Sequence, residues 1–380
     1  MIDNHTSNGA DYQYVMTLIA TQKDKLHPTL SAHMTSTMLP ALYEKMENKG
    51  YEMTPYVYVR NTPDAGISGF LDLPRYSSGY AALHHCYSFM PETHMLKPFK
   101  DRVKSTYLFS LSMLEYMSIH GDDIMHSRAA AKKDYAEKKQ VDINWSMDNT
   151  AVDSLNFKGY EAKYKKSLVT GQDRLYYDRS SPYEKQVPFY NTYKSSATVE
   201  KPRAYIIPQA YYKIIDRLKW NGVELSIVDT EKTMQVQAYY IEDYKSPGSP
   251  YEGHYLHRQV EVSVRNIEVE TRPGDVIVYT GQEKDRYIME VLEPQAPDSY
   301  FAWNFMDGIL MQKEHFSSYV FEDRAAELLK NNAELRTAFN KKKEEDAAFS
   351  ENARAQLNFI YEQSPHYEQT YRRYPVFLLK

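Results

Sequence analysis

The sequence contains very little cysteine and no long apolar run, and each absence excludes a class of protein. Cys86 is the only cysteine among 380 residues, so the chain has no internal disulfide framework. No stretch of about 18 consecutive apolar residues occurs, which excludes a transmembrane helix. Asp and Glu (51 residues) outnumber Lys and Arg (46), so the chain lacks the basic character that nucleic-acid or anionic-membrane binding requires.

The rest of the composition is typical of a folded globular chain with more than one domain. Apolar residues make up 42% and charged residues 26% of the sequence. At about 100–200 residues per domain, 380 residues predict two or three domains. The first residues lack the basic run and apolar segment of a signal peptide, so we predict none in this sequence.

The order of patterns along the chain predicts an α/β region, then an antiparallel β-rich domain, then a helical end. Period-two runs around residues 234–240, 260–264 and 276–278 favour half-buried antiparallel strands. The predicted units are 1–125, α/β; 126–201, a linker that wraps over a neighbouring domain; 202–306, a β-sandwich-like domain; and 307–380, a helical segment.

Four features of the first unit are predicted in detail. An amphipathic helix is indicated by Met38, Leu42 and Met46, which recur every four residues. Residues 66–79 are rich in Gly, Pro and Ser, a composition typical of a loop that frames a pocket, and residues 81–90 predict a buried strand. A long helix is expected from about Lys97 toward His120, with an inward stripe of Val103, Leu108, Leu111 and Leu114.

Two polar residues at expected strand ends are candidates for chemistry. Asp3 stands two residues before His5, which is followed by small polar residues, and a histidine so placed can reach a metal ion. A purely structural histidine is the alternative. Glu92 follows an apolar strand, where burial would raise the pKa of its carboxyl toward that of a general base. A carboxylate capping the helix after Pro98 is the alternative.

Together these residues resemble the zinc metallocarboxypeptidases of the carboxypeptidase A type. The run Tyr87-Ser88-Phe89 resembles the strand before the catalytic glutamate of that family, which would make Glu92 the general base. His5 resembles the second histidine ligand of the zinc ion. The resemblance implies that residues 1–125 are the C-terminal half of a catalytic domain with a mixed sheet and helices.

A loop and several short segments extend the resemblance. Residues 75–79 resemble the loop that carries the mobile substrate-capping tyrosine of the family, so Tyr76 is its expected counterpart and Tyr80 its competitor. Other segments resemble a large multidomain bacterial-type branch of the family: 8–13, 92–98, 251–254, 292–294 with 298–299, and 374–376.

The sequence departs from the family pattern at the metal site. Catalytic zinc takes three protein ligands, and no histidine here is followed three residues later by a glutamate. His254 and His257 form a His-x-x-His pair in a strand-rich segment, which favours a structural or surface role. We therefore expect a truncated part of the enzyme that lacks the first two zinc ligands and is inactive alone.

The resemblance implies the cofactor, the substrate and the partners. It implies zinc in a site that this chain leaves incomplete, and a peptide substrate from which the C-terminal residue is removed. The missing N-terminal half, or a second copy of this chain, is the expected protein partner. Export to the periplasm or the medium is implied as well. The alternative function is a non-catalytic peptide- or glycan-binding module derived from a carboxypeptidase.

Overall fold

The computed structural model describes residues 1–312 and 314–380, and several sheets and helices in these residues confirm the mixed α/β class. The helices are α1 Pro28–His33, α2 Leu39–Asn48, α3 Ser77–Leu83, α4 Phe99–Glu137, α5 Tyr212–Trp220, α6 Asp285–Leu292, α7 Ser318–Asn331, α8 Ala333–Glu345, α9 Ala347–Ser350 and α10 Ala353–Glu362. Within the described ranges, no helix combines the length and apolar character needed to cross a membrane.

The strands fall into four sheets within the described residues. Those of the first half are β1 His5–Ser7, β2 Met16–Ala20, β3 Met53–Pro55, β4 Tyr58–Val59, β5 Ile67–Ser68, β6 Phe89–His94, β7 Gln140–Met147, β8 Asp153–Lys166 and β9 Asp173–Tyr190. Those of the second half are β10 Tyr193–Glu200, β11 Ala204–Ile207, β12 Ser226–Ile227, β13 Lys232–Lys245, β14 Arg258–Thr271, β15 Val276–Tyr279 and β16 Phe377–Leu379.

The first sheet brings the N-terminal strand β1 beside β6, which lies far away in the sequence. Its order is β1-β6-β2-β3, with β1 parallel to β6 and β6 antiparallel to β2. All six residues of β6 are buried, as expected for a central strand covered on its faces. Among the described strands β1 pairs with β6 alone, so its other edge is open.

Helix α2 confirms the predicted four-residue spacing, whereas the predicted strand at residues 81–90 is wrong in its first half. Met38, Leu42 and Met46 are all buried. Residues 77–83 form helix α3 instead, and the strand begins only at Phe89. Alanine and leucine have high helix propensity, and the helix ends before His85, which has a φ of 52°.

Helix α4 confirms a long helix after Pro98, but it buries a different face from the predicted one. Val103 and Leu114 of the predicted stripe are 52% and 65% exposed. The buried apolar residues of the helix include Phe109, Met113 and Tyr116. Because apolar residues occur on more than one face of α4, their spacing alone did not identify the face that packs on the sheet.

Residues 126–201, expected to be a linker that wraps over a neighbour, contain two long antiparallel strand pairs. Strand β7 pairs with β10, and β8 pairs with β9. Strand β9 also runs parallel to β5 in the register Ile67↔Phe189, and a single bridge joins Tyr12 to Gly159. The segment therefore lies against the first unit as a sheet rather than as irregular chain.

The period-two runs after residue 202 do form antiparallel strands, but in one sheet rather than two. The six strands have the order β12-β15-β11-β16-β13-β14. Strand β16 comes from the last residues of the chain and pairs with both β11 and β13. The structure thus differs from the predicted sandwich, because the C-terminal strand completes this sheet while helices α7–α10 form a separate apolar cluster.

Glu293, which directly follows helix α6, is a buried carboxyl beneath this sheet. It is 0% exposed, and the Tyr205 hydroxyl donates to its Oε1 at 2.5 Å. Burial raises the pKa of Glu293 to about 7, although the hydroxyls of Tyr205 and Tyr239 act in the opposite direction. The protonated form is therefore the one that the native state stabilises.

Replacement of Glu293 by Gln should change how stability depends on pH. Between the ordinary pKa of 4.5 and the native pKa of about 7, the native state retains a proton that the unfolded state has released. Stability should therefore fall as pH rises through this window, by about 3 kcal/mol in total. Urea unfolding at pH 5 and pH 8 should show this loss in the wild type and not in Glu293→Gln. The exposed Glu224→Gln is the control, and an equal pH slope in Glu293→Gln and wild type would contradict the account.

Candidate functional site

The pairing of β1 with β6 places His5 directly beside Glu92. The two residues are register partners in parallel strands, and the Thr93 hydroxyl donates to the His5 carbonyl oxygen at 3.2 Å. His5 Nδ1 lies 3.8 Å from Glu92 Oε1. Two residues that the sequence analysis singled out separately are therefore brought together by backbone hydrogen bonding.

Asp3 orients the imidazole from the other side. Its Oδ2 lies 3.1 Å from His5 Nε2. A carboxylate at this position favours the neutral tautomer with its proton on Nε2, which leaves a free electron pair on Nδ1. Histidines that bind metals commonly donate their second N–H to a carboxylate in this way. The nearby Ser77 hydroxyl, and less strongly His5, lower the pKa of the Asp3 carboxyl, which keeps it ionised as an acceptor.

Glu92 is 7% exposed, so its carboxyl lies in a largely buried environment. Burial raises its pKa, Asp3 adds to the increase through its negative charge, and His5 acts against both. A carboxylate with a raised pKa accepts a proton more readily near neutral pH. The residue still contacts solvent and therefore remains accessible to a ligand.

The side chains of Tyr56, Phe70 and Tyr76 form an aromatic wall, of which Tyr56 is influenced by the charge of Glu92. The ring of Phe70 lies 4.9 Å from that of Tyr76 and 6.5 Å from that of Tyr56. Burial, and next the negative charge of Glu92, raise the pKa of the Tyr56 hydroxyl. Tyr12, whose pKa is raised to about 12 mainly by burial, is influenced by the same charge. Sequence reasoning missed Tyr56 and Phe70. The one signal in the sequence was that Phe70 lies in the predicted pocket loop.

The structure places Tyr76 and Tyr80 differently. Tyr76 precedes helix α3 and contacts Phe70, and its neighbour Ser77 lies beside Asp3. Tyr80 is 43% exposed, and its hydroxyl donates to Asn221 Oδ1 at 2.5 Å. Tyr76 is therefore the tyrosine of this pair that lies with the aromatic wall.

A buried ion pair fixes the Tyr76 loop to the second half of the chain. An Arg75 guanidinium nitrogen lies 2.8 Å from Asp298 Oδ1, and the Arg75 backbone N–H donates to Asp298 Oδ2 at 2.9 Å. The Trp303 indole also donates to Asp298, at 2.9 Å. The pKa of the Tyr76 hydroxyl is raised by burial and then by the nearby Tyr251. The sequence motifs around residues 75 and 298 gave no sign that the two segments meet.

The predicted structural role of the His-x-x-His pair agrees with its contacts. His257 is 5% exposed, and its ring nitrogens lie 2.8 Å from Ser246 Oγ and 2.9 Å from Asp307 Oδ1. His254 instead packs edge-on against Trp303, with 5.2 Å between ring centroids. The two rings have different partners and make no common site.

Metal ligands are incomplete at the His5 cluster. In residues 1–312 and 314–380, no three His, Cys, Asp or Glu side chains are grouped so that they could hold a metal ion. Asp3 and Glu92 flank the His5 ring on its two sides, and catalytic zinc takes three protein ligands. The chain matches no protein-family model, no curated protein and no solved structure.

Loss of the Arg75–Asp298 pair should loosen the Tyr76 loop. Asp298→Ala leaves a buried guanidinium without its partner, which costs about 3–5 kcal/mol. Hydrogen exchange followed by mass spectrometry should show faster exchange in residues 66–79. The matched control is Asp173→Ala, which removes an exposed pair with Lys166 and should change stability by less than about 1 kcal/mol. Unchanged exchange in residues 66–79 would show that the pair does not hold the loop.

Proposed function

We propose that this chain carries part of the active site of a zinc metallocarboxypeptidase, an enzyme that removes C-terminal residues from peptides. The observation that carries the proposal is the β1–β6 register, which sets a metal-competent imidazole, His5, beside a buried carboxylate, Glu92. The family resemblance implies that the metal ligand and the general base belong to one site. Here the two residues lie side by side on strands that are distant in the sequence. The resemblance and the geometry are independent of each other.

In this proposal Glu92 moves the proton. Its carboxylate takes a proton from the attacking water and passes it to the amine of the leaving residue, which balances the hydrolysis of the peptide bond. Zinc, when bound with His5 as one ligand, would supply Lewis acidity at the carbonyl and a water of lowered pKa. Asp3 holds the His5 ring in the tautomer with Nδ1 free.

The aromatic wall would hold the substrate. The rings of Tyr56, Phe70 and Tyr76 lie close to one another, and the charge of Glu92 influences Tyr56. Such rings bind peptide side chains with little loss of conformational entropy. The Tyr76 hydroxyl is the candidate group for capping the bound residue. The buried pair of Arg75 and Asp298 keeps the backbone of the loop in place.

The missing ligands would come from a polypeptide that pairs with the open edge of β1. An open edge strand exposes unpaired backbone N–H and C=O groups that can pair with another strand. Next to this edge lies an apolar cavity of about 470 Å³, lined by Ile2, Phe89, Met113, Met117 and Met125 among others. Exposed apolar residues continue along α4, namely Phe99, Val103, Tyr107 and Leu114. The same polypeptide would cover this surface.

Zinc content and hydrolysis should test the proposal together. The chain alone should bind zinc weakly and should not hydrolyse a blocked dipeptide, because one imidazole cannot replace three ligands. The chain fused to the polypeptide encoded directly upstream of it should bind one zinc per molecule and hydrolyse the dipeptide. Tight one-to-one zinc with steady turnover in the chain alone would contradict the incomplete site. Full zinc without hydrolysis in the fusion would favour the binding-module alternative.

Substitution of Glu92 by Gln in the fusion should separate the chemistry from metal binding. Glu92→Gln keeps the shape but removes the base, so turnover should fall by about 10²–10⁴-fold while zinc content is retained. His5→Ala should lower zinc affinity. Glu47→Gln, on the exposed face of α2, is the matched control and should leave both unchanged. Near-normal hydrolysis by Glu92→Gln would overturn the assignment of the base.

A further inference from the structure

A second cleft, separate from the Glu92 cluster, opens on the surface around helix α5. Its volume is about 550 Å³. Aromatic rings and two basic side chains dominate its lining: Tyr211, Tyr212, Lys213, Arg217, Trp303 and Phe305. Clefts of this kind, with aromatic walls and a few charged groups, are typical of binding sites for extended ligands.

The charge of this α5 groove is opposite to that of the whole chain. The net charge of the protein is -5, yet no carboxylate lies among the residues that line the groove. In the part of the chain that the structure describes, neither Lys213 nor Arg217 has an ion-pair partner. The Arg217 guanidinium packs over the Phe305 ring at 4.6 Å, and one of its nitrogens donates to the Lys213 carbonyl at 2.8 Å. Both cations are therefore available to a negatively charged ligand.

A row of side chains connects the lining of the groove to the Tyr76 loop. The Trp303 ring, which lines the groove, lies 6.3 Å from the Tyr251 ring. The Arg75 guanidinium lies 5.6 Å from Tyr251 and 5.7 Å from Trp303. The Trp303 indole and Arg75 share Asp298 as a partner, and Ser77, two residues after Arg75, lies beside Asp3 of the Glu92 cluster. A series of contacts therefore links the groove, through the Tyr76 loop, to that cluster.

We propose that the α5 groove is a subsite for acidic side chains of the peptide substrate, a conclusion that rests on the proposed carboxypeptidase function. When only the C-terminal residue is removed, every other residue of the peptide precedes the scissile bond. A second subsite near the active site must therefore contact residues on that side. The ammonium of Lys213 and the guanidinium of Arg217 select carboxylates, while the rings of Tyr211 and Trp303 contact the rest of the peptide.

Peptide binding by the chain itself tests this subsite without any hydrolysis. Fluorescence anisotropy would compare a labelled peptide with glutamates before its last residue and the same peptide with glutamines. The glutamate peptide should bind at least about tenfold more tightly at low salt, and 0.5 M salt should remove most of the preference. The double variant Lys213→Gln, Arg217→Gln should lose the preference. Lys219→Gln, an exposed lysine on the same helix outside the groove, should keep it.

Several outcomes of these measurements would overturn the proposed subsite. Equal binding of both peptides by the wild type, or a preference that survives in the double variant with a native circular dichroism spectrum, would overturn the subsite. So would an acidic oligosaccharide of equal charge that competes more strongly than the glutamate peptide. Hydrolysis by the upstream fusion without any glutamate preference would remove the subsite and leave the proposed function. A glutamate preference in the chain, together with a fusion that does not hydrolyse peptides, would leave the subsite and remove the proposed function.

Discussion

The parallel pairing of β1 with β6 is the constraint on which the candidate site depends. Backbone hydrogen bonds set the register His5↔Glu92, and a slip of one residue would turn one of the two side chains to the opposite face of the sheet. Buried residues along β6, together with the Thr93 hydroxyl on the His5 carbonyl, specify that register. The closeness of His5 and Glu92 therefore follows from strand pairing, which these side chains help to fix.

The remaining parts of the site are held by contacts between segments distant in sequence. Asp298, from the second half of the chain, binds Arg75 and so positions the loop that carries Tyr76. A buried pair of this kind contributes little net stability but is costly to break, so it specifies one arrangement of the loop. The same Asp298 also accepts from the indole of Trp303, which lines the α5 groove. One carboxylate therefore holds both the Tyr76 loop and a side chain of the groove.

Local patterns predicted the local elements well. The helix with Met38, Leu42 and Met46, and the strands after residue 202, are found because a single face is buried in each. Local patterns gave a wrong prediction where the sequence supported two structures equally. Residues 81–83 were expected in a strand and are helical. Helix α4 buries Phe109 and Met113 rather than Val103 and Leu114. His5 and Glu92 were identified by resemblance, but Tyr56, Phe70 and the Arg75–Asp298 pair depend on long-range packing that no local spacing records.

The central claim is that His5 and Glu92 form one half of a zinc site that another polypeptide completes. The most direct test is an anomalous difference map, measured at the zinc absorption edge, from crystals of the chain fused to the polypeptide encoded upstream. The account predicts one strong peak at about 2.0–2.1 Å from His5 Nδ1, with the Glu92 carboxylate within hydrogen-bonding reach of the open coordination position. A zinc peak bound by other residues, or His5 Nδ1 unbound in a fully loaded protein, would contradict it.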